Sequence, residues 1–405
     1  MFQFSSPYKS HSKRLLLLGS GELGKELLIE AHKWGIETHA VARYKNAPAS
    51  QVAHFSYQIN MLDKYELKLL VRQVRPDFIV PEIESINIEA LLDLEKEGYN
   101  IVPSAKAVYY TMDRERIRKL AAEDFGFLTS KYRFAETFEE FTEAVTEIGF
   151  PCVVKPTMSS SGYGQSKLMN AQDIETAWTI AHNECRGECR KVIVEEYINF
   201  DHEVTLITVK HLDSQGTSTV SFCPPIGHEQ KNGDFAKSWQ NPELLWKNSL
   251  EKCQNLSSYM VNELSGKNGF GVFGVEFFLK GSTVYFNEIA PRPHDTAFLT
   301  LKTQNMSQFE LHIRAILKLP IPKIKLLMSG ASVPLVVKEE GTLIERAALD
   351  TLNIPKHILE LEDTSLYVFG KPYVKKKRRM GIIVTTAPTL GMALQKVNDI
   401  HIYKN

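Results

Sequence analysis

The 405-residue sequence has five cysteines, no net charge and no long apolar run. An odd number of cysteines in a chain this long argues against a disulfide framework, and Cys185 and Cys189 lack the further cysteine or histidine that a zinc site needs. Equal numbers of acidic and basic residues, 48 of each, give no general attraction to nucleic acid or to a membrane surface. No run of 18 apolar residues could span a membrane. We therefore expect a cytoplasmic protein with neither nucleic acid nor membrane as a partner.

The remaining composition is that of an ordinary globular protein, with 43% apolar and 24% charged residues. Its length predicts two or three domains, each large enough for its own core. Residues 1–14 are polar and lack the apolar centre of a secretory signal, so we interpret them as a disordered tail.

Strands and helices alternate along the N-terminal region. The strand RLLLL (14–18) precedes a G-x-G-x-x-G turn (19–24), a helix and a second strand at 37–43. Weaker units follow: a helix near 63–73, a strand at 77–83, a helix at 86–97 and the short strand NIVP. This alternation predicts a Rossmann-like α/β domain over residues 15–118, built on a doubly wound parallel sheet.

Strands dominate the rest of the chain. Residues 119–322 combine several strands with helices on one side, which predicts an α+β domain. A Pro/Gly-rich boundary near 320–330 opens a small, mostly β C-terminal domain over 323–405, with a basic run at 375–379 and a final helix.

Two carboxylates lie on neighbouring predicted strands of the central region. Glu276 lies in the strand 273–279 and Glu288 in the strand 283–289, and the intervening Lys-Gly-Ser is typical of a short turn. Such a hairpin would place the two side chains side by side. Because Mg²⁺ takes hard oxygen ligands, usually one or two carboxylates with phosphate oxygens and water, the pair predicts a magnesium site for a nucleotide triphosphate.

The G-x-G-x-x-G turn is a weak signal by itself. A dinucleotide site also needs an acid near the end of the second strand, where this chain has Val41-Ala42-Arg43. That absence argues against a dehydrogenase. The turn still offers backbone N–H groups at the start of a helix, which suits an anionic or polar ligand.

A second Gly/Ser-rich loop, residues 159–165, follows the strand that carries Lys155. It lacks the G-K-[ST] ending of a Walker loop, but its small residues allow the backbone to approach phosphates, and Lys155 would add a point charge. Further along, the edge of the strand that ends in Glu195–Ile198 could hydrogen-bond adenine through its backbone, and Glu203 suits the ribose hydroxyls. These features together favour a nucleotide site.

The order of these parts resembles that of the ATP-grasp superfamily. Within it, several longer blocks are similar to the formate-dependent phosphoribosylglycinamide formyltransferases of purine biosynthesis, and they cover nearly the whole chain beyond the tail. The blocks include LLLLGSGELGKE, IVPEIE, GFPCVVKPTMSSSGYGQ, FGVEFF, EIAPRPHDT and FGKP.

The resemblance implies an N-terminal domain that precedes an ATP-grasp domain, and a residue set for each ligand. For glycinamide ribonucleotide it implies Glu22, Leu23, Glu82, Arg114, Asp295, Lys371, Arg378 and Arg379. For ATP it implies Arg114, Lys155, Ser160, Ser161, Gly162, Tyr163, Gly164, Gln165, Glu195, Glu196, Tyr197, Ile198 and Glu203. It also implies Glu276 and Glu288 as Mg²⁺ ligands, and catalytic roles for Arg114, Lys155 and Gly162.

The activity that the resemblance implies is ATP-dependent ligation of formate to the amine of glycinamide ribonucleotide, through formyl phosphate. Formate would attack the γ-phosphorus while Mg²⁺, Lys155 and Arg114 offset charge. Because formyl phosphate hydrolyses readily, the loop 159–165 must close and exclude water. A homodimer is implied by the resemblance alone.

The sequence departs from the family pattern at two positions. The loop usually reads Ser-Ser-Gly-Lys-Gly-Gln, and Tyr163 replaces its lysine, which predicts weaker ATP binding or slower phosphoryl transfer unless Lys167 supplies the cation. Ala42 replaces a common aspartate beside Arg43, and we assign no chemical role to that change.

Three alternative functions stay open on the sequence. An aminoimidazole ribonucleotide carboxylase-type enzyme would share the architecture and use bicarbonate. A catalytically silent nucleotide-binding protein would explain Tyr163, although Lys155, Arg114 and both glutamates are present. The dehydrogenase is the third and lacks its acid near Arg43.

Overall fold

The computed structural model describes residues 4–158, 162–184, 191–231, 233–337, 345–347, 351–373 and 378–402. Its strands are β1 (Arg14–Leu18), β2 (Glu37–Ala42), β3 (Phe55–Gln58), β4 (Phe78–Pro81), β5 (Tyr132–Ala135), β6 (Cys152–Pro156), β7 (Ser166–Leu168), β8 (Val192–Glu196), β9 (His202–Leu212), β10 (Ser218–Phe222), β11 (Ile226–Lys231), β12 (Asp234–Gln240), β13 (Gly271–Lys280), β14 (Thr283–Ala290), β15 (Ser329–Val336), β16 (Glu345–Ala347), β17 (Thr351–Asn353), β18 (Thr364–Val368) and β19 (Arg379–Ala387).

The α-helices are α1 (Glu22–His32), α2 (Lys64–Val74), α3 (Ile88–Lys96), α4 (Ala105–Thr111), α5 (Arg114–Lys119), α6 (Phe138–Ile148), α7 (Ile174–Asn183), α8 (Lys247–Ser265), α9 (Thr300–Thr303), α10 (Gln308–Ile316), α11 (Lys356–Leu359) and α12 (Leu390–Ile402). Among the described residues, no helix is long and apolar enough to cross a membrane.

The N-terminal sheet is parallel and runs in the order β3-β2-β1-β4. Leu15 and Leu17 of its central strand pack in one apolar cluster with α1, while Leu16 and Leu18 pack in another with α2 and α3. A strand buried on both faces needs an uninterrupted apolar run, which is why β1 reads RLLLL. The predicted doubly wound parallel sheet is confirmed.

Two further sheets form the rest of the molecule. A four-stranded sheet runs β5-β8-β6-β7, and a nine-stranded sheet runs β14-β13-β9-β11-β12-β15-β19-β18 with β10 on β9. The strands β15, β18 and β19 come from the segment predicted as a C-terminal domain. They extend the large sheet through the pairing of β12 with β15, so tertiary pairing makes one continuous sheet from two sequence segments.

Two elements differ from their sequence prediction, one in strand pairing and one in where a helix ends. The predicted strand NIVP contributes a single bridge, between Ile79 and Ile101. The helical stretch from residue 105 ends at Thr111, and the side chain of Asp113 accepts hydrogen bonds from the backbone of the next helix, α5. This break places Arg114 at the first position of α5.

Residues 4–13, predicted as part of a disordered tail, have contacts with the N-terminal sheet. The backbone N–H of Tyr8 donates to Glu37 Oε2 at 2.7 Å, and the ring of Phe4 lies 5.7 Å from that of Trp34.

Candidate active site

Glu276 and Glu288 are direct cross-strand partners in the hairpin of β13 and β14. A register shift follows Glu276, and Asn287 Nδ2 donates a hydrogen bond to Glu276 Oε2 at 3.2 Å. The bulge lets the hairpin present two carboxylates and an amide at one place. The helix α8 packs against the other face of these strands through residues such as Met260 and Leu264. This packing holds the two strands that carry Glu276 and Glu288.

The carboxylates here concentrate negative charge. Burial raises the pKa of Glu276 to about 8, and Glu203 and Glu288 add to this rise while His228 opposes it. Single ligand atoms of Glu203, His228 and Glu276 lie within 4.8 Å of one another. A divalent cation would relieve this repulsion, and the oxygen donors of Glu276 and Glu288 fit Mg²⁺.

Lys155 on β6 pairs with Glu195 on β8, with Nζ 2.7 Å from the carboxylate. Arg118 also pairs with Glu195. Burial would raise the pKa of Glu195, but Arg118 and Lys155 outweigh burial and lower it to about 2. The carboxylate of Glu195 therefore holds Lys155 in place. Arg118, which pairs with the same carboxylate from α5, was not predicted from the sequence.

One sequence expectation about β8 is wrong. The strand is not an edge, because it pairs with β5 on one side and β6 on the other. Its backbone is therefore occupied along Glu195 and Glu196, and the N–H of Glu196 donates to Lys131 O at 2.9 Å. Tyr197 and Ile198 lie beyond the strand end, where the N–H of Tyr197 donates to Pro151 O at 3.3 Å.

Arg114 connects the two halves of the site. Its backbone N–H donates to Thr157 O at 3.0 Å, and its Nη1 donates to Pro156 O at 3.1 Å, at the end of the strand that carries Lys155. Its Nη2 lies 3.8 Å from Glu288 Oε2. The guanidinium of Arg114 therefore lies between the start of the predicted phosphate loop and Glu288.

The phosphate loop is described from Gly162 onward; Ser160 and Ser161 lie outside the described residues. Gly162 has φ +70°, and a Cβ there would lie 2.2 Å from Gly233 O, in the turn between β11 and β12. Only glycine permits this close approach of two backbones. The side chain of Tyr163 is exposed, and the N–H of Gly164 donates to Glu184 Oε2 at 3.0 Å.

The first Gly-rich turn is occupied by Glu82, which follows β4. The carboxylate accepts hydrogen bonds from Gly21 N at 3.3 Å and Gly24 N at 3.4 Å. A Cβ on Gly19 or Gly21 would lie within 2.8 Å of its oxygens. A dinucleotide pyrophosphate would need the same N–H groups, so this geometry excludes the dehydrogenase.

Burial raises the pKa of Glu82 to about 7; Arg292 opposes this rise and Glu22 adds to it. A carboxylate in this range can accept a proton near neutral pH.

Glu22 and Leu23, the next predicted residues, differ in exposure. Glu22 pairs with Lys371 at 2.9 Å, which joins α1 to the C-terminal segment. Leu23 is 7% exposed and packs in the apolar core beside α1. Its side chain is therefore not available to a substrate, and a contact at Leu23 would have to use its backbone.

The remaining predicted residues, Asp295, Arg378 and Arg379, each have a side-chain partner. Arg379 pairs with Asp295. Burial would raise the pKa of Asp295, but the charge of Arg379 and its hydrogen bond lower it. Arg378 Nη2 donates to the hydroxyl of Tyr44 at 3.4 Å, just beyond β2. The sequence reasoning missed Tyr44, although its position after a parallel strand was a usable signal. The lysines 375–377 lie outside the described residues.

A cleft lies between Glu288 and the segment that follows β4. Its lining includes Pro81, Ile83, Glu84, Arg114, Glu288 and Arg292. Arg292 Nη2 pairs with Glu84 Oε1 at 2.6 Å. Neither residue was predicted from the sequence. Glu84 lies two residues after Glu82, and Arg292 lies three residues before Asp295.

Three family models match successive parts of the chain. The ribonucleotide synthetase preATP-grasp domain matches residues 13–111, the ATP-grasp domain matches 120–309, and the model "PurT, C-terminal" matches 349–401.

Curated relatives match nearly the full length. The chain is 48% identical over 395 residues to the formate-dependent phosphoribosylglycinamide formyltransferase of Syntrophotalea carbinolica, covering 97% of this chain and 96% of that protein. It is 47% identical over 383 residues to the enzyme of that name from Mannheimia succiniciproducens, covering 95% and 94%.

Solved structures share the whole architecture. Glycinamide-RNase-transformylase T from Mycobacterium tuberculosis superposes with a TM-score of 0.76 at 29% identity, covering 97% of this chain and all of that chain. The ADP complex of an N5-carboxyaminoimidazole ribonucleotide synthetase superposes with a TM-score of 0.83 at 26% identity, covering 100% and 99%.

Proposed function

The chain belongs to the formate-dependent phosphoribosylglycinamide formyltransferases, a family of ATP-grasp ligases, and we propose that it carries out that reaction at the cleft lined by Arg114, Glu288 and Arg292. The substrates are formate, glycinamide ribonucleotide and ATP. The products are formylglycinamide ribonucleotide, ADP and phosphate. The observation that carries the proposal is the position of Arg114, which contacts Glu288 with its guanidinium and the end of the Lys155 strand with its backbone and Nη1.

In this proposal, ATP binds across the face of the sheet β5-β8-β6-β7 that carries Lys155. Lys155 and the loop 160–165 contact the phosphates, Tyr197 and Ile198 the base, and Glu203 the ribose. Bound Mg²⁺, held by Glu276 and Glu288, would neutralise charge on the terminal phosphates. The Glu195 carboxylate contributes indirectly, because it fixes the ammonium of Lys155.

Formate attacks the γ-phosphorus and ADP leaves, which gives formyl phosphate. Arg114 stabilises negative charge on the transferring group, since its guanidinium is adjacent to the metal pair. The close approach of Gly162 to Gly233 supports a lid role for the loop, because contact of two backbones leaves little space for water.

The substrate amine then attacks the formyl carbon, and phosphate leaves. Glu82 orients the amine and accepts its proton, a role supported by its raised pKa of about 7. Glu22, Asp295 and Lys371 position the ribonucleotide. Arg378 and Arg379 bind its 5′-phosphate, which suits guanidinium groups.

The carboxylase alternative has one observation in its favour, the structural likeness to N5-carboxyaminoimidazole ribonucleotide synthetases at 23–26% identity. Relatives at 46–48% identity over nearly the full length carry the formyltransferase name. Identity at this level outweighs a likeness of fold, because one superfold hosts many activities.

The test is ADP release by the purified protein with Mg²⁺ and glycinamide ribonucleotide, with formate or bicarbonate as the acid. A parallel reaction contains aminoimidazole ribonucleotide and bicarbonate. We expect ADP and formylglycinamide ribonucleotide only with formate. Turnover only in the parallel reaction would establish the carboxylase, and ATP binding without turnover would establish a silent binding protein.

A cytoplasmic homodimer completes the proposal. It follows from the family resemblance, and sedimentation equilibrium of the purified chain measures its subunit number directly.

A further inference from the structure

Helices cover one face of the sheet β5-β8-β6-β7. The opposite face, here called the open face, is partly covered, since Glu195 on it is buried while Lys167 is exposed. Helices α6 and α7 pack on the face that carries Cys152 and Val154. Because side chains alternate along a strand, Val153 and Lys155 point to the opposite face, and both are half-buried. Because Lys155 lies on the open face, the proposed nucleotide site lies on that face.

Lys167 lies on the same open face. It is the direct partner of Val153 across β6 and β7, and Glu195 is the partner of Val153 on the other side. Tyr197, two residues beyond Glu195, continues this face past the end of β8. Lys167 Nζ lies 3.4 Å from the centroid of the Tyr197 ring, so the lysine side chain reaches across β6 to that ring.

This contact lies at the end of the face remote from the phosphate loop. Lys155 is two residues nearer to the loop than Val153. Tyr197 is on the other side of Val153, where its backbone N–H donates to Pro151 O at 3.3 Å. A nucleotide with its phosphates beside Lys155 and the loop would thus have its base beside Tyr197.

The two lysines on this face differ in charge compensation. Lys155 is paired with Glu195 at 2.7 Å. Lys167 has no carboxylate within ion-pair distance in the described part of the chain, and its ammonium is held by the π face of Tyr197. An ammonium in that position keeps N–H donors for a ligand, and a purine offers ring nitrogens as acceptors together with a flat π surface.

We propose that Lys167 and Tyr197 form one wall of the base subsite, with the ammonium of Lys167 contacting the purine of ATP. The inference depends on the proposed placement of ATP. It also assigns Lys167 away from the phosphates, so Lys167 does not replace the cation that Tyr163 removes from the loop.

The test compares ATP, ADP and adenosine as ligands, by calorimetry or by displacement of a fluorescent nucleotide. Lys167→Met keeps the apolar stem and removes the charge, and Tyr197→Leu removes the ring. Each should weaken all three ligands by a similar factor, about threefold to tenfold for one cation–π-supported contact. The double variant should lose little more than either single variant, because the two residues act as a unit. Lys167→Arg should retain affinity.

Lys237→Met is the matched control, since Lys237 lies 5.6 Å from the ring of Trp239 on the other sheet, and it should bind all three ligands normally. Weaker ATP and ADP with unchanged adenosine would place Lys167 on the phosphates and overturn the inference. Unchanged affinities in both single variants would also overturn it, while the proposed function would stand. A wild-type chain that binds no ATP would instead overturn the proposed function.

Discussion

The carboxylate of Glu82 accepts a hydrogen bond from the backbone N–H of Gly21, at 3.3 Å, so a residue after β4 caps the first turn of α1. The same contact satisfies N–H groups at the start of α1 and fixes the position of a buried acid. The glycines of the turn are needed because a Cβ on Gly19 or Gly21 would collide with this carboxylate.

Glu82→Gln should change how stability depends on pH. The folded pKa, about 7, exceeds the ordinary value of 4.5, so folding favours the protonated acid. The contribution of Glu82 to stability is complete below about pH 4.5 and is lost as pH rises through about 7. Glutamine keeps an acceptor oxygen and cannot ionise. Relative to the variant, the wild type should lose on the order of 3 kcal/mol of unfolding free energy across this window, measured by urea titration at several pH values.

Glu147→Gln is the control for this titration, because Glu147 is exposed and pairs only with Arg133 at 3.2 Å among the described residues. Its profile should run parallel to that of the wild type. Parallel profiles for Glu82→Gln as well would mean that the Glu82 pKa is not raised.

Glu288→Gln should lower kcat by about 10²-fold or more, because one of two opposed carboxylates would no longer hold the cation on the phosphates. The half-saturating Mg²⁺ concentration should rise in the same assay. Activity within twofold of the wild type would show that Glu288 is not a metal ligand.

Arg378→Ala should raise the KM for glycinamide ribonucleotide by about 10-fold to 100-fold, the effect of one lost charge-assisted contact. The KM for ATP should stay unchanged, since Arg378 contacts Tyr44, just beyond β2, whereas Lys155 lies on β6 of a different sheet. Arg133→Ala is the surface control. An unaltered ribonucleotide KM would show that Arg378 does not bind the ribonucleotide and merely contacts Tyr44.

Tyr163→Lys should lower the KM for ATP or raise kcat, because it restores a cation to the phosphate loop. The exposed side chain of Tyr163 leaves space for the change. Steady-state kinetics with varied ATP measures both constants. If neither improves, the loop does not need a cation in this chain.

Gly162→Ala should separate ATP hydrolysis from formylation. The new Cβ would lie 2.2 Å from Gly233 O, so the loop could no longer pack against Gly233. Water would then reach the acyl phosphate. The ratio of ADP to formylated product should therefore rise above one. Gly216→Ala is matched to it, with φ +79° but no atom near the new Cβ, and should leave this ratio unchanged. A ratio of one in Gly162→Ala would contradict the lid.

Local patterns in the sequence predicted much of the site. The alternation in β13 and β14 predicted that Glu276 and Glu288 would be neighbours, because cross-strand partners in a short hairpin follow from the turn. Lys155 was identifiable for a similar reason, since a lysine in a buried-type strand before a Gly/Ser loop has few structural explanations. By contrast, Arg118 and Arg292 looked like ordinary charges, because their partners Glu195 and Glu84 are 77 and 208 residues away.

The sequence by itself determined most of the elements, the hairpin that carries Glu276 and Glu288, and the family. Side-chain periodicity and turn chemistry are local properties, and the matching blocks extend over nearly the whole chain. Only the tertiary structure decided that Glu82 caps α1, that β8 is an inner strand, that β15 continues the large sheet, and that Lys167 lies on Tyr197. Each of these features depends on contacts between segments distant in the chain or on the order of strands in a sheet. Local sequence patterns do not encode such contacts, because tertiary packing sets which segments meet.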